Sequence, residues 1–261
     1  MRIKAAFKSL YRRVLYSPNK YVPQCNFCKA EIFRAPYIRL CKNCQKELPF
    51  VGSVSCPKCG RKTVASGLCL ACKANPPLFD SGFSVFDYEG NVRQAINKFK
   101  NGEAHLSKYF GDSLSVVVFR TLKRVHEEVA VEKSFQEFLL ECLIVAVPLD
   151  KEREGKRGYN QAALLAEQVA RKTGVPYGAG VIEKPRAAAI QKGETARSRA
   201  ENAQGAYRVK KRKECKDKYL LVIDDIMTTG ATGSECSRVL KLAGAKRVLF
   251  FSVAAVRDRV L

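Results

Sequence analysis

Apolar residues recur along the chain with two different periods, that of a strand and that of a helix. The segment FSVFDY, which begins at residue 83, has the period of a half-buried strand. The apolar residues of 92–99 instead recur at i, i+3, i+4 and i+7, and they predict a short amphipathic helix that ends near KNG. Residues 105–140 are expected to be mostly helical, with Gly111 as an interruption.

The second half of the chain alternates between apolar runs and amphipathic segments. LIVAVPL, YLLVI and RVLFFSVAAV predict three buried strands, and the helices that follow the first two are expected to end at Gly174 and Gly244. Strands that alternate with helices form mostly parallel sheets. The sequence therefore predicts an α/β fold with a mostly parallel sheet, in which ligands bind beyond the carboxyl ends of the strands.

The first part of the chain has a different composition. Residues 1–20 predict a basic amphipathic helix, which we expect to pack on its own domain, although such helices also bind membrane surfaces or partners. Residues 21–75 contain paired cysteines, and the proline-marked stretch ANPPLFD then indicates a domain boundary. The main α/β domain is expected over 80–261.

Length and hydropathy limit the class of protein. The chain has 261 residues, of which 46% are hydrophobic, so a buried core is expected. No run approaches the roughly 18–20 apolar residues of a membrane helix, and the N-terminus lacks the apolar region of a signal peptide. These features predict a cytoplasmic protein. The basic N-terminal helix leaves open a peripheral contact with the inner membrane face.

The charge is strongly basic. Lysine and arginine outnumber the acidic residues by 47 to 25, which gives a net charge of +22. Such an excess attracts phosphate-bearing partners, among them nucleic acid, nucleotides, sugar phosphates and anionic membranes. The densest basic stretch is RVKKRKECKDK, residues 208–218. Charge alone does not choose among these partners.

Eight of the eleven cysteines form four C-x-x-C pairs, with the spacings C-x2-C-x12-C-x2-C and C-x2-C-x9-C-x2-C. In a chain without a secretion signal this pattern favours metal over disulfides. Two pairs can enclose one tetrahedral Zn²⁺ and leave no position for water, so two structural zinc ions are predicted. Short loops favour sequential over interleaved pairing of the motifs. The predicted ligands are Cys25, Cys28, Cys41, Cys44, Cys56, Cys59, Cys69 and Cys72, whereas Cys142, Cys215 and Cys236 are expected to be inert.

The stretch LLVIDDIMTTGAT, residues 220–232, joins an apolar strand to two adjacent carboxylates, Asp224 and Asp225. At the end of a central strand these acids would lie at the ligand edge of the sheet. The turn that follows leads into a helix expected to start near Gly233. Its free N–H groups, together with Gly230, suit a phosphate. Carboxylates there would bind hydroxyls or Mg²⁺, so a sugar phosphate with a vicinal diol satisfies both halves.

Two other interpretations explain this stretch less well. LLVIDD would also fit the acidic strand of a P-loop NTPase, but the chain contains no G-x-x-x-x-G-K-[ST] sequence. An aspartate pair that only forms a turn and caps a helix would account for the acids. It would not account for the combination of strand, acids, threonines and glycine.

The same stretch resembles the phosphoribosyl-pyrophosphate (PRPP) motif of the type I phosphoribosyltransferases, in which an apolar strand and two acids precede T-T-G-x-T. The resemblance implies a type I phosphoribosyltransferase fold. It also implies that Asp224 and Asp225 take the ribose 2′- and 3′-hydroxyls, with Mg²⁺ accompanying PRPP. The loop that would hold the 5′-phosphate comprises Thr228, Thr229, Gly230, Ala231 and Thr232.

Several further motifs, in order, resemble the ComF competence proteins, which carry a double zinc ribbon followed by a phosphoribosyltransferase domain. These are the four C-x-x-C pairs, YEGNVRQAINKFKNG, VPLDKEREGKRGYNQAALLA and RSRAENAQGAY, and the resemblance covers essentially everything after residue 20. It implies a pyrophosphate site with Arg153 and Arg157, whose planar guanidinium groups suit phosphate oxygens, and with Lys100. A solvated charged surface is the alternative for these basic loops.

Residues 186–207 match the flexible hood that is expected to close over the ligand in this family. Closure would shield an oxocarbenium-like centre from water. Two positions depart from the family pattern, because Ala188 replaces a frequent threonine and Thr195 replaces a usual leucine. These departures leave the PRPP pocket intact but bear on the hood's competence for catalysis. The matching hood residues are Gln191, Arg199 and Asn202.

Two functions follow. The resemblance to ComF implies a PRPP-binding protein that acts in natural transformation, handles incoming single-stranded DNA on the cytoplasmic side and contacts the competence DNA-uptake machinery. The alternative is an active phosphoribosyltransferase of nucleotide or amine metabolism that releases pyrophosphate, uses an acceptor that no motif identifies and has no DNA role.

The basic surface fits the DNA role, because single-strand binding needs a basic track and aromatic side chains that stack on bases. Phe27, Phe33 and Tyr37 lie among the cysteine pairs and are candidates for such stacking. Packing in the small core between the zinc ions is the favoured prediction for them.

Overall fold

A computed structural model of the chain describes residues 23–32, 39–129, 132–185 and 205–257. The chain divides into two compact units, Met1–Glu47 and Leu48–Leu261. Among the described helices, none is both long enough and apolar enough to cross a membrane. The predictions that fall outside the described residues concern the N-terminal helix 1–20, Phe33, Tyr37, Ala188, Gln191, Thr195, Arg199 and Asn202.

The first unit contains the first two C-x-x-C pairs. Backbone hydrogen bonds close residues 25–30 into a tight turn. Helix α1 (Lys42–Lys46) begins at its N-cap Cys41, whose sulfur accepts a hydrogen bond from the Cys44 amide at 3.4 Å. Phe27 is only 3% exposed, which agrees with packing in the small core and not with stacking on bases.

A four-stranded sheet forms the centre of the second unit. The strands of this unit are β1 (Ser81–Asp87), β2 (Cys142–Ala146), β3 (Ile182–Glu183), β4 (Arg208–Val209), β5 (Tyr219–Met227) and β6 (Arg247–Ala255). The sheet has the order β1-β6-β5-β2, and all three of its neighbouring pairs are parallel. The inner strands β5 and β6 are almost wholly buried, as their continuous apolar sequences predict. The predicted α/β class with a mostly parallel sheet is therefore confirmed.

Helices connect and cover these strands. They are α2 (Leu70–Ala74), α3 (Gly90–Lys100), α4 (Leu106–Glu128), α5 (Phe135–Glu141), α6 (Lys151–Arg157), α7 (Gln161–Thr173), α8 (Arg212–Cys215) and α9 (Ala231–Leu242). The helix α4 packs against α7 and against β1 and β6, while α9 packs against β5 and β6. The predicted end of α7 at Gly174 is observed, because this glycine caps the helix with φ 76°.

Two details of the helices differ from the sequence-based expectation. Gly111 does not interrupt a helix, because α4 runs through it without a break. A Cβ atom at this position would lie 2.4 Å from Cγ of Gln168, so the glycine permits the close approach of α7. The helix expected to start near Gly233 starts at Ala231 instead. Gly233 serves packing, since a Cβ there would lie 2.7 Å from the Phe250 ring.

The second set of cysteines, residues 56–73, belongs to the same compact unit as the sheet, and we call it the second cysteine module. Its turn lies against β1, where the Gly82 amide donates to the Lys58 carbonyl at 2.8 Å. A Cβ atom on Gly60 would lie 2.3 Å from the Gly82 oxygen, so only glycine fits this approach. The module is thus attached directly to the sheet, although the sequence places a domain boundary at 74–80.

Candidate functional site

The acidic pair lies at the carboxyl end of the inner strand β5. The last β5 residue opposite β2 is Ile223, so Asp224 and Asp225 extend beyond that neighbour, while Asp224 still pairs with Ser252 of β6. Asp225 is 8% exposed. The pattern of strands predicts this place at the ligand edge, because the carboxyl ends of parallel strands lie at one edge of the sheet.

The turn after β5 presents the start of a helix. Gly230 is the N-cap of α9 and has φ 87°, a left-handed conformation that favours glycine. The Thr229 hydroxyl accepts a hydrogen bond from the Ala231 amide at 3.3 Å, and the Thr228 and Thr229 side chains are exposed. The twelve-residue helix α9 therefore begins beside two exposed threonines, and the positive end of its dipole suits an anion such as phosphate.

Burial and neighbouring charges determine how readily the acidic pair ionises. Burial and the neighbouring Asp225 carboxylate raise the pKa of Asp224 well above its ordinary value. The Lys100 ammonium opposes this effect, since its Nζ lies 3.0 Å from the Asp225 Oδ2 atom. Lys100 is the last residue of α3, so the end of this helix supplies the positive charge that partly compensates the pair.

The predicted pyrophosphate arginines lie on the segment after β2. Helix α6 begins at the N-cap Asp150. The carboxylate of this residue also forms an ion pair with Arg153, whose Nε lies 3.4 Å from Oδ2. Arg157 donates to the Gln161 side chain at 2.9 Å. The Tyr159 hydroxyl, two residues further on, donates to the Phe99 carbonyl. This contact brings the segment to the end of α3, beside Lys100.

The base of the predicted hood is fixed at the same edge. Strands β3 and β4, which precede and follow residues 186–204, pair antiparallel. The Gly205 amide donates to Glu235 Oε1 of α9 at 2.7 Å. Gly205 therefore lies against α9, the helix that opens at residues 228–230, which we call the phosphate turn after its predicted ligand.

Tyr207 and Lys184 are two residues of this base that the sequence did not single out for the site. Tyr207 is 8% exposed. Burial, followed by the Cys236 and Asp224 charges, raises its pKa. Lys184 Nζ lies 5.8 Å from the centre of the Tyr207 ring. The only signal for Tyr207 in the sequence is its position at the end of RSRAENAQGAY.

The cysteines form two four-residue clusters, and within each cluster the sulfur atoms all lie within 4.8 Å of one another. The motifs pair sequentially, with Cys25, Cys28, Cys41 and Cys44 in the first cluster and Cys56, Cys59, Cys69 and Cys72 in the second. Four thiol donors at this separation fit a structural zinc ion.

Thiolate formation is favoured at one cysteine of each cluster. Burial alone would raise the pKa of Cys56, but hydrogen bonds from backbone N–H groups, that of Cys69 foremost, outweigh it and lower the pKa to about 7. In the first cluster the balance is similar, and the pKa of Cys25 is lowered to about 6. Burial raises the pKa of Cys44, Cys59 and Cys72 in the same clusters, so the fit to zinc rests on the separation of the four sulfur atoms and not on the pKa values.

Two four-cysteine clusters that fit zinc and an α/β fold with a parallel sheet define the class of this protein. A family model described as "Double zinc ribbon domain" matches residues 14–73, which include all eight paired cysteines. The predicted double zinc ribbon is therefore confirmed.

Relatives extend this result over most of the chain. Competence protein F of Haemophilus influenzae is 26% identical over 237 residues, which cover 88% of this chain and 96% of that protein. Competence protein ComFC of Bacillus subtilis is 28% identical over 78% of this chain and 79% of its own. DNA utilization protein YhgH of Salmonella typhimurium is 28% identical over 74% and 80%, respectively. Together with the zinc-ribbon match, these relatives support a ComF family protein, the family that the sequence motifs resemble.

A solved structure described as the allosteric regulatory enzyme of purine biosynthesis is a more distant match. Its TM-score is 0.31 and its identity 19%, over 45% of this chain and 24% of that chain. A likeness this weak carries no argument about the fold, which is defined by the strand order and register given above.

Proposed function

We propose that this protein binds PRPP together with Mg²⁺ at the carboxyl end of β5, and that it acts in natural transformation. The observation that carries the ligand proposal is the juxtaposition of two features on one strand end. A partly buried acidic pair, compensated by Lys100, stands next to a glycine turn that opens a helix. A ribose 5-phosphate group has a diol for the first feature and a phosphate for the second.

Each part of PRPP has a matching group in this proposal. The 5′-phosphate accepts hydrogen bonds from the N–H groups at the start of α9 and from the threonine hydroxyls of the turn. The carboxylates of Asp224 and Asp225 accept hydrogen bonds from the ribose diol, and their hard oxygen atoms fit the Mg²⁺ that PRPP brings. Once these partners occupy the acids, the Lys100 ammonium becomes available for the pyrophosphate group.

The role in transformation rests on the relatives and on charge. Two of the relatives bear the name of competence proteins and the third that of a DNA utilization protein. The net charge of +22 suits a polyanion such as incoming single-stranded DNA on the cytoplasmic side. Within the basic stretch 208–218, Arg208 and Lys210 form ion pairs with Glu183 but stay exposed. They are therefore accessible to phosphate groups.

Calorimetric titration of the zinc-loaded protein with PRPP, with and without Mg²⁺, tests the ligand proposal. We expect Mg²⁺-dependent binding that disappears when Asp224→Asn and Asp225→Asn are combined. Glu127→Gln, which neutralises an exposed carboxylate on α4, is the matched control and should bind as the wild type does. The proposal fails if the wild type does not bind, or if the double variant binds equally well.

The DNA role needs separate measurements. If transformation survives in the Asp224→Asn, Asp225→Asn variant, PRPP binding is peripheral to the process. Affinity for single-stranded DNA should fall steeply with salt, because contacts to phosphates release counterions. A flat salt response contradicts a DNA role based on charge.

An active phosphoribosyltransferase without a DNA role is the second candidate function. It is favoured by the hood base, where Gly205 is fixed to Glu235 and Tyr207 is buried close to Asp224. In this candidate function, the residues that match the family's hood would close over bound PRPP. Release of pyrophosphate in the presence of nucleobases or amines tests this candidate. Tight PRPP binding with no release for any acceptor favours the binding role.

A further inference from the structure

Arg61 connects the second cysteine cluster to the phosphate turn. This side chain is 4% exposed, yet it carries a permanent positive charge. Its Nε donates to the Cys59 sulfur at 3.2 Å, and its terminal nitrogen Nη2 donates to the Thr228 carbonyl at 3.0 Å. One guanidinium group thus contacts a predicted zinc ligand and the first residue of the turn that would hold the 5′-phosphate.

The segment that follows the module supports the same turn. The Leu78 amide donates to the Ser234 hydroxyl in the first turns of α9 at 3.0 Å. A Cβ atom on Gly230 would lie 3.9 Å from Pro77 and 4.0 Å from the Phe79 ring. Residues 77–79, which follow the second cysteine module in the sequence, therefore pack against the phosphate turn and the start of α9.

The positive charge of Arg61 is the reason why its contact with Cys59 would depend on bound zinc. A Zn²⁺ ion bound by four thiolates fixes the position of each sulfur and leaves negative charge on the sulfurs. A buried guanidinium is stable only with anionic or hydrogen-bonding partners, and a metal-bound Cys59 thiolate would be an anionic partner for the Arg61 Nε atom. Arg61, in turn, fixes the Thr228 carbonyl and with it the start of the turn.

We propose that Arg61 is a positioning residue that couples metal occupancy of the second cysteine cluster to the affinity of the phosphate turn. The coupling rests on the proposed function, because it regulates that same PRPP site. Zinc in the second module then has a role in ligand binding as well as in folding. Loss of this metal, or of Arg61, leaves the turn present but without a fixed geometry.

Substitution of Arg61 tests the coupling by affinity. Arg61→Gln should keep both zinc ions, as measured by elemental analysis, and weaken binding of both PRPP and ribose 5-phosphate by about tenfold to a hundredfold, the range for a lost charge-assisted hydrogen bond. Arg61→Lys, whose ammonium lacks the planar fork, should give an intermediate loss. Lys62→Gln changes the adjacent cation, which faces Asp87 instead, and should leave both affinities unchanged.

Hydrogen exchange tests the same coupling without ligand. The Ser234 amide donates to the Gly230 carbonyl at 2.8 Å, so peptides that span 228–235 report on the order of the turn. We expect faster exchange there in Arg61→Gln than in Lys62→Gln, with unchanged exchange in β6. If wild-type protein does not bind PRPP, the proposed function fails, but this comparison still decides whether Arg61 orders the turn.

A spectroscopic experiment detects the coupling from the metal side. With Co²⁺ in place of zinc, the thiolate-to-cobalt absorption of the full chain should shift when ribose 5-phosphate binds, and Arg61→Gln should abolish the shift. The proposal is overturned if Arg61→Gln retains wild-type affinity and wild-type exchange in 228–235. It is also overturned if the affinity falls only together with zinc content, since Arg61 then serves the metal site alone.

Discussion

Replacement of Lys100 by methionine should destabilise the ligand-free protein, because Asp225 then loses its positive partner while Asp224 stays beside it. The contact is 3.0 Å long, and the side chains of Lys100 and Asp225 are 24% and 12% exposed, so water screens the pair only in part. A hydrogen bond between charged groups of this kind contributes about 1.5–3 kcal/mol. In a domain of this size the melting temperature should fall by roughly 3–10 °C.

The effect must depend on pH in a defined direction. Because the pKa of Asp224 is raised in the folded state, the folded protein keeps a proton that the unfolded chain releases. Stability therefore falls as pH rises from the ordinary aspartate pKa through the raised one. Lys100 moderates this fall, so the penalty of Lys100→Met should be largest above this window and should shrink as pH decreases through it.

Thermal and urea unfolding between about pH 5 and 8.5 measure the penalty. Lys108→Met, which alters an exposed lysine of α4, controls for the loss of one positive charge from a basic protein. In the Asp225→Asn background the penalty should largely disappear, because the partner carboxylate is gone. A penalty that is equal at every pH, or undiminished in that background, refutes the assignment of Lys100 as the counter-charge of the pair.

Three further expectations concern stability and metal content. Asp224→Asn should raise the melting temperature of the ligand-free protein at neutral pH, because it removes the carboxylate with the raised pKa; a lower melting temperature contradicts this. Elemental analysis should find two zinc ions per chain, and Cys72→Ser should remove one of them while leaving the first cluster loaded. Gly233→Ala should cost about 1–3 kcal/mol in urea unfolding, because its Cβ would lie 2.7 Å from the Phe250 ring. Gly155→Ala, where no atom lies within 4 Å, is the control.

The sheet could be predicted because its strands are continuous apolar runs. YLLVI and RVLFFSVAAV became β5 and β6, and both are inner strands. The end of α7 at Gly174 was equally predictable, since a glycine at the end of an amphipathic segment commonly caps a helix. These signals depend on residues close together in sequence, which is why the sequence alone reveals them.

Gly111 shows where local patterns fail. A glycine inside a helical pattern normally weakens the helix, so the sequence indicates an interruption. The reason for this glycine lies at Gln168 of α7, which packs directly against it. The packing of the two helices, and not the local preference, decides the structure of this segment.

The candidate site also has a part that the sequence predicts and a part that only the fold reveals. Asp224, Asp225 and Gly230 are neighbours in one motif, so their chemistry could be inferred from spacing. The partner of Asp225 is the side chain of Lys100, on a different element. The sequence marked Lys100 only through its resemblance to a family, and for pyrophosphate instead of the acidic pair. The ionisation of the pair therefore depends on a contact that the motif itself does not contain.

Arg61 extends this argument from charge to geometry. In the sequence it is one basic residue after a cysteine knuckle, in CGRK, where a solvated surface charge is the ordinary expectation. In the structure it is buried and hydrogen-bonded to Thr228, 167 positions away. A buried arginine persists only if opposite charge or hydrogen-bond partners compensate it, and its partners here include the Cys59 sulfur and the Thr228 carbonyl. Under the proposed coupling, the phosphate turn takes its position from the second cysteine module, to which Arg61 links it by a hydrogen bond.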